Sequence, residues 1–347
     1  MLRTTASRDP AKAVPGVSPV RASTGRLAPS PTGHLHLGNL FAFTLAACRV
    51  AGGNLILRNE DLDETRVRTG MGRTQQEDLR WAGIVWNAGP DLNPGEPLYQ
   101  QSLRKERYAE ILKLLANTDA VYPCSCSRRD IDQVLSAPHG LPVDAIYPGT
   151  CAHRRSTDSN APALDAGDHA WRARASGVWA WDDACAGPQR WELTPAHDFV
   201  VRRRDGLFAY QLAVVVDDHD SGVSEVVRGR DLLDSTPRQL ALHAALGWTP
   251  PTYAHVPLLV DGGGRLSKRD QSCGRHRLAE TGWTPELMRG GFACLLGASG
   301  LRPMSMSDLA DALPGLDLSP DAVEVPAEWW HGPEKYAAWV ADHARNH

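Results

Sequence analysis

The chain has 347 residues, 42% apolar and 22% charged, a balance that supports a core divided over two or three domains and excludes a disordered or fibrous chain. A formal net charge of −4 excludes the whole-surface basic field of a nonspecific nucleic-acid binder, so any RNA contact must be local. No run approaches the roughly 18 apolar residues of a membrane span, and no apolar signal core follows Met1, so a soluble, cytoplasmic protein is expected.

Residues 1–24 read as a disordered tail. They are rich in Ala, Ser, Thr and Arg, and Pro10, Pro15 and Pro19 break the amphipathic helix that a transit peptide, the alternative, would require. From Gly25 the pattern is strand, glycine-containing turn, helix: Leu37, Leu40, Phe41, Leu45 and Cys48 share one helical face, Gly52 and Gly53 stop it, and Asn54 to Arg58 reads as a buried strand. Further helices are predicted over 69–81 and 102–115, so residues 25–120 form the first half of an α/β nucleotide-binding domain. The pattern degrades over 121–195, read as an inserted subdomain with a surface loop from Arg154 to Gly167. It returns over 196–270, with a strand predicted at 207–216, a helix at 234–246 capped by Asp234 or Ser235, and a strand at 256–260. Residues 271–347 are expected to be a short helical remnant.

Two segments have the chemistry of nucleotide handling. Ala28-Pro29-Ser30-Pro31-Thr32-Gly33-His34-Leu35-His36-Leu37-Gly38-Asn39 lies between the first strand and the first helix. In an open parallel sheet that is where ligands meet the strand ends, and a helix amino terminus offers N–H groups to phosphate. His36 can donate to a phosphate oxygen, and Gly38 permits close approach of an adenine ring. The alternative for an isolated His-x-Gly is a helix cap followed by a packing glycine. The second segment, Asp261-Gly262-Gly263-Gly264-Arg265-Leu266-Ser267-Lys268-Arg269, follows an apolar strand. Its glycines suit a loop that closes over a polyphosphate, with Lys268 as a compact positive charge. Taken alone it could equally be a solvated basic hairpin.

In this order, at opposite ends of an interrupted α/β domain, the two segments resemble the paired HIGH and KMSKS signatures of class I aminoacyl-tRNA synthetases. They read here His36-Leu37-Gly38-Asn39 and Arg265-Leu266-Ser267-Lys268-Arg269. The resemblance implies a Rossmann-like doubly wound parallel sheet, ATP as substrate, accompanied by Mg, and His36, Gly38, Asn39 and Lys268 at the nucleotide, with His36 and Lys268 catalytic. A carboxylate attacks the α-phosphorus of ATP in line, so the protein needs mainly to orient reactants and neutralise charge.

Within that class, Arg26 to Gly33 and Arg58-Asn59-Glu60-Asp61-Leu62-Asp63-Glu64-Thr65-Arg66 resemble the glutamate branch. The resemblance implies that Arg26, Ala28 and Ser30 line the amino-acid site, that Glu60 receives the substrate ammonium, and that Tyr210 and Arg228 complete it. Arginine forks pair a carboxylate bidentately and would be left unpaired against glutamine. Without these neighbours, Glu60 and Arg66 would read as solvated charges. Residues 203–232, from Arg203 through Asp217-Asp218-His219 to Leu232, are similar to the short glutamyl-queuosine tRNA(Asp) synthetases. Asp217, Asp218 and His219 on their own could suggest a metal triad, but neighbours on a strand face opposite ways, so a structural turn with one residue facing the cleft is the expectation and the triad the alternative.

Seven cysteines are too few and too unevenly spaced for a disulfide framework. Cys124, Cys126 and Cys151 offer three thiolates for a structural zinc ion, with buried unreactive thiols as the alternative. The short family carries a matching Cys-x-Cys and Tyr-x-x-x-Cys arrangement, which implies Tyr147 as fourth ligand; His153 is the competing one. The family transfers activated glutamate to the queuosine base in the anticodon of tRNA(Asp), so the implied partners are L-glutamate, ATP and that RNA, acting on a monomer. Arg128-Arg129, Arg154-Arg155 and Arg202-Arg203-Arg204 could follow RNA phosphates or be ordinary solvated surface. The competing functions are a truncated synthetase charging the terminal adenosine of tRNA(Glu), and a synthetase-like RNA-binding module without catalysis, against which His36 and Lys268 speak.

Overall fold

The structure, a computed structural model, describes residues 23–127, 129–131, 147–262, 264–266 and 274–343. Strand β1 (Thr24–Leu27) leads through the Pro29–Pro31 turn into helix α1 (Leu37–Arg49) and returns as β2 (Asn54–Leu57), which pairs parallel to β1 from Thr24↔Asn54 to Leu27↔Leu57. All five residues predicted on one face of α1 are buried, and that apolar stripe is why this segment folds against the sheet. Helices α2 (Met71–Trp81) and α3 (Lys105–Asn117) follow. Strands β3 (Val121–Cys124) and β4 (Ala170–Ala173), the antiparallel hairpin of β5 (Gly177–Asp183) and β6 (Gly187–Leu193), and β7 (Phe199–Arg202) come next. Strand β4 pairs antiparallel with both β3 and β7.

Helix α4 (Tyr210–Asp220) lies where a strand is predicted. The error has a physical origin: Leu212 to Asp218 are all buried, so the segment lacks the polar stripe that reveals a helix, and three consecutive valines imitate a strand. Asp217, Asp218 and His219 therefore stand on a helix and not in a turn. Next come β8 (Glu225–Gly229), a 3-10 turn at Arg230–Ser235, α5 (Thr236–Leu246) and β9 (Thr252–Val256). Ser235 occupies the cap position of α5 without a side-chain cap bond, and Asp234 belongs to the 3-10 turn. The strand predicted at 256–260 is interrupted at Pro257, which cannot donate to a ladder; β10 (Leu258–Asp261) continues beyond it and pairs with the short β11 (Gly264–Arg265).

The architecture is α/β with mixed sheets. Parallel β8 and β9 are extended by β5 and β6 in the order β6-β5-β9-β8, and β1 meets β8 where the Ser224 N–H donates to the Thr24 carbonyl at 2.9 Å. The doubly wound parallel sheet expected from the sequence is thus broken into separate ladders, one carrying an antiparallel edge. No described helix is long and apolar enough to cross a membrane.

Helices α6 (Arg275–Glu280), α7 (Pro285–Leu295), α8 (Met306–Ala312) and α9 (Pro333–His343), with strand β12 (Ala322–Glu324) parallel to β10, close the chain. They share one core with α1: Leu37, Phe41, Met288, Phe292 and Trp329 belong to the same buried cluster. Trp329 is fully buried, with its ring 4.2 Å from Trp283 and 5.0 Å from Tyr336. Gly291 makes room for it, since a Cβ there would approach the Trp329 ring to 2.6 Å. Trp329→Ala should cost about 3–5 kcal/mol through the cavity it leaves, read as a lowered chemical-denaturation midpoint. A midpoint equal to wild type would show that these helices do not share the core of α1.

Candidate active site

The turn after β1 is held from below by Gln75, whose Nε2 donates to the carbonyls of Ser30 at 3.0 Å and Gly33 at 2.6 Å. His36 caps α1. Its Nδ1 accepts the Asn39 N–H at 3.3 Å, while the Asn39 side chain accepts the His36 N–H at 3.2 Å. In a neutral imidazole this places the remaining proton on Nε2, as a donor. Gly38 fits against the same ring: a Cβ there would meet His36 ring atoms at 3.2 Å. Cap and packing glycine are therefore one arrangement around the His36 ring.

A cavity of about 370 Å³ opens here and is lined by Arg26, Ala28, Ser30, His36, Gly38, Asn39, Glu60, Tyr210 and Arg228. Every candidate glutamate or ATP residue among the described residues meets in it. Lys268 lies outside the described residues; Leu266, two positions before it, is buried and lines the cavity.

Beneath the cavity runs a buried charge network that the sequence did not reveal. Arg58 is fully buried and donates to Asp218 at 2.8 Å, to Glu60 at 3.3 Å, and stands 3.7 Å from Asp217. Burial disfavours its cation, but Asp218, Asp217 and Glu60 outweigh that and raise its pKa. Asp218 also lies 3.5 Å from Arg26, and against the penalty of burial the two arginines hold its carboxyl below the usual range. Burial pushes Glu60 up, opposed by Arg58 and Arg26. Asp217 turns toward α3, accepting from Gln101 and Arg104 at 2.7 Å each. Adjacent residues of a buried helix can thus both point inward, and among the described residues neither joins a metal-binding group. His219 is exposed and stacks on Trp248 with ring centroids 3.7 Å apart.

Arg228 is fixed from behind. Its three nitrogens donate to His255 Nε2 at 2.9 Å, Gln239 Oε1 at 2.9 Å and Thr236 Oγ1 at 2.8 Å. Because a guanidinium only donates, His255 Nε2 must accept, so Nδ1 carries the proton and donates to Asp183 at 2.5 Å. Burial lowers the His255 pKa, keeping the ring neutral. Asp183 also accepts the backbone N–H groups of His255 at 2.9 Å, Ala186 at 2.9 Å and Cys185 at 3.1 Å; these bonds outweigh burial and hold its carboxyl far below the usual range. The hairpin at Asp183 is thereby connected to a cavity residue.

Cys124, Cys126 and Cys151 place their sulfurs within 4.8 Å of one another, and the Tyr147 hydroxyl lies 3.6 Å from Cys124 Sγ and 3.8 Å from Cys126 Sγ. Four donors around zinc at about 2.3 Å would put sulfurs roughly 3.8 Å apart, and Cys126 and Cys151 are separated by 3.7 Å, so the donor set fits such an ion. His153 is exposed and outside the group. Arg172, which sequence reading missed, stacks 3.8 Å over the Tyr147 ring and donates to Cys124 Sγ at 3.4 Å.

An α/β catalytic domain with this cavity between β1, α1, α4 and β8 is that of a class I synthetase, and residues 23–307 match the family described as tRNA synthetases class I (E and Q), catalytic domain. The chain is 47% identical over 278 residues to the glutamyl-Q tRNA(Asp) synthetase of Nitratidesulfovibrio vulgaris, covering 79% of this chain and 86% of that one. It is 41% identical over 310 residues to the same enzyme of Symbiobacterium thermophilum, covering 88% and 96%. The chain belongs to the glutamyl-Q tRNA(Asp) synthetase family. Among solved structures, a glutamate tRNA ligase from Elizabethkingia meningosepticum, in complex with its amino acid, superposes with a TM-score of 0.74 at 25% identity, over 93% of this chain and 71% of that one.

Proposed function

We propose that the chain activates L-glutamate with ATP, without RNA present, and transfers the glutamyl group to the queuosine base in the anticodon of tRNA(Asp). The observation that carries this is the meeting of Arg26, Glu60, Tyr210 and Arg228 with the His36-Gly38-Asn39 helix start in one cavity. Arg26 and Arg228 suit the substrate carboxylates and Glu60 its ammonium, while His36 Nε2 and Lys268 suit the phosphates, with Mg accompanying the ATP. A carboxylate oxygen of glutamate bonds to the α-phosphorus and pyrophosphate leaves. A hydroxyl of the queuosine cyclopentenediol then bonds to the acyl carbon, the bond to phosphate breaks, and AMP departs with the electron pair and takes up the proton. Preorganised donors and orientation supply most of the acceleration. We assign residues 25–120 and 196–270 to the catalytic domain, 121–195 to an acceptor-binding insertion, and 271–347 to a C-terminal segment.

Radiolabelled glutamate is expected to label queuosine-bearing tRNA(Asp), and neither unmodified tRNA(Asp) nor tRNA(Glu). Equal labelling of unmodified tRNA(Asp), or charging of tRNA(Glu) at its end, would replace this reading with that of a terminal-adenosine synthetase.

The hydrogen-bond chain behind Arg228 generates a second expectation. Asp183→Asn removes the charge that orders His255, so KM for glutamate in ATP–pyrophosphate exchange should rise about tenfold, or ~1.4 kcal/mol, with KM for ATP unchanged. Equal effects on both would assign Asp183 a purely structural part.

Zinc, when bound, would be held by Cys124, Cys126, Cys151 and Tyr147 and would supply a structural crosslink. Three thiolates and a phenolate overcompensate a divalent cation, and Arg172 offsets part of the excess. About one zinc per chain should be found by elemental analysis, and Tyr147→Phe should weaken retention against a chelator while His153→Ala does not. Metal-free protein after zinc-supplemented expression would remove the assignment.

A further inference from the structure

Beyond the lysine segment, the described chain resumes at Gly274 and is seated at once on the turn that carries His36. A Cβ on Gly274 would come within 2.8 Å of the Leu35 carbonyl oxygen, so backbone lies against backbone. The next residue, Arg275, opens α6, and its Nε stands 3.1 Å from Asp78 Oδ1. Asp78 belongs to α2, is 2% exposed, and follows by three positions Gln75, whose amide holds the carbonyls of Ser30 and Gly33. Residues three apart share a helix face, so one face of α2 meets both the turn before α1 and the start of α6. Burial pushes the Asp78 carboxyl up; Arg275 is the strongest influence against this, followed by His34 and the backbone N–H of Leu35. Helix α6 is anchored on its other side as well, by Leu278, buried in the core shared with α1, and by Arg277, whose guanidinium lies 5.2 Å over the Trp330 ring.

We infer that Asp78 is a positioning residue for adenylate formation: through Arg275 it fixes the far end of the lysine segment against the His36 turn. The inference rests on the assignment of His36 and Lys268 to the ATP phosphates proposed above, and adds what sets the spacing between the two segments. Groups that act together on one phosphate chain have to be held to about 0.5 Å by the residues behind them. His36 is fixed by its own cap, but on the near side of Lys268 the chain offers Gly262 and Gly264, which have no side chain to pack. The far side is where a side-chain anchor exists, and there the carboxylate is withdrawn from water while Arg275 remains one-fifth exposed. An ion pair with a buried member need not stabilise a fold against an apolar replacement, and registry between two elements is its best use. Here the elements are α2, which supports the His36 turn, and α6, which the lysine segment enters.

A double-mutant cycle in glutamate-dependent ATP–pyrophosphate exchange separates positioning from bulk stability. Asp78→Asn keeps the size of the side chain and removes its charge. It should lower kcat/KM for ATP about tenfold, the scale of a displacement well under 1 Å, and leave KM for glutamate within about twofold of wild type. In a Lys268→Ala background the same substitution should change exchange by less than about twofold, because the group being positioned is gone. Arg275→Gln, at the partly exposed partner, carries the same cycle if Asp78→Asn does not fold. Three outcomes would overturn the inference alone: wild-type exchange by the folded variants, equal losses with and without Lys268, or KM for glutamate rising in parallel with the loss for ATP. Normal exchange by Lys268→Ala itself would instead remove the lysine from the proposed function, and the inference with it.

Discussion

The buried cation of Arg58 is the interaction on which the site depends. A guanidinium with no solvent exposure is tolerated only when anions surround it, and here Asp217, Asp218 and Glu60 come from two separated segments, the end of β2 and the interior of α4. Removing one member would strand the others without water, a loss of about 3–5 kcal/mol, although the intact cluster need not stabilise the fold against an apolar replacement. What the cluster supplies is register. It docks α4 on the strand ends at one rotation and one height, which puts Tyr210 into the cavity and aligns Arg26 along Asp218. Sign matters too: with Asp218 engaged by both arginines, Glu60 remains a carboxyl whose burial is only partly compensated, a position that favours arrival of a cationic group.

The second cationic wall is organised differently. Arg228 is ordered by neutral acceptors, His255, Gln239 and Thr236, and the carboxylate of Asp183 lies one imidazole behind them. A direct carboxylate partner would compete with an anionic ligand for the same guanidinium. An imidazole placed between them orients the guanidinium and keeps the negative charge at a distance. The arrangement also joins the β5–β6 hairpin to the catalytic half, because Asp183 simultaneously accepts the N–H of His255 on β9.

The sequence made legible what is local. The α1 stripe, the turn of prolines and glycine before it, and the parallel return through Leu55 to Leu57 all follow from neighbouring residues, and the structure has them. The Cys124, Cys126, Cys151 group was legible because spacing and thiol chemistry are themselves local signals. Helix α4 was not, since full burial erases the periodicity on which the distinction between helix and strand relies. Nor could the partners of Arg58 and Arg228 be read: Asp218 is 160 residues from Arg58, and Asp183 is 72 residues from His255. The only available clue was that charged residues inside apolar runs, as at Arg58, Asp217 and His255, must find counterparts when buried.

His36 shows how a modest reading and a functional one can coincide. As a helix cap it needs Nδ1 as an acceptor for the Asn39 N–H, and satisfying that need leaves Nε2 as the donor of a neutral ring. The glycine two positions later is required by the same ring, which occupies the space a Cβ would take. Replacing Asn39 with the histidine of the commoner signature would give up the side-chain acceptor that returns to the His36 N–H, so the departure at this position is compensated within the cap. An arrangement that first secures the helix start thereby orients the His36 ring at a helix amino terminus, the kind of place that suits an anion. The same few atoms close the helix cap and fix the His36 ring at the cavity, and for that reason this short motif was recognisable when the longer-range network behind it was not.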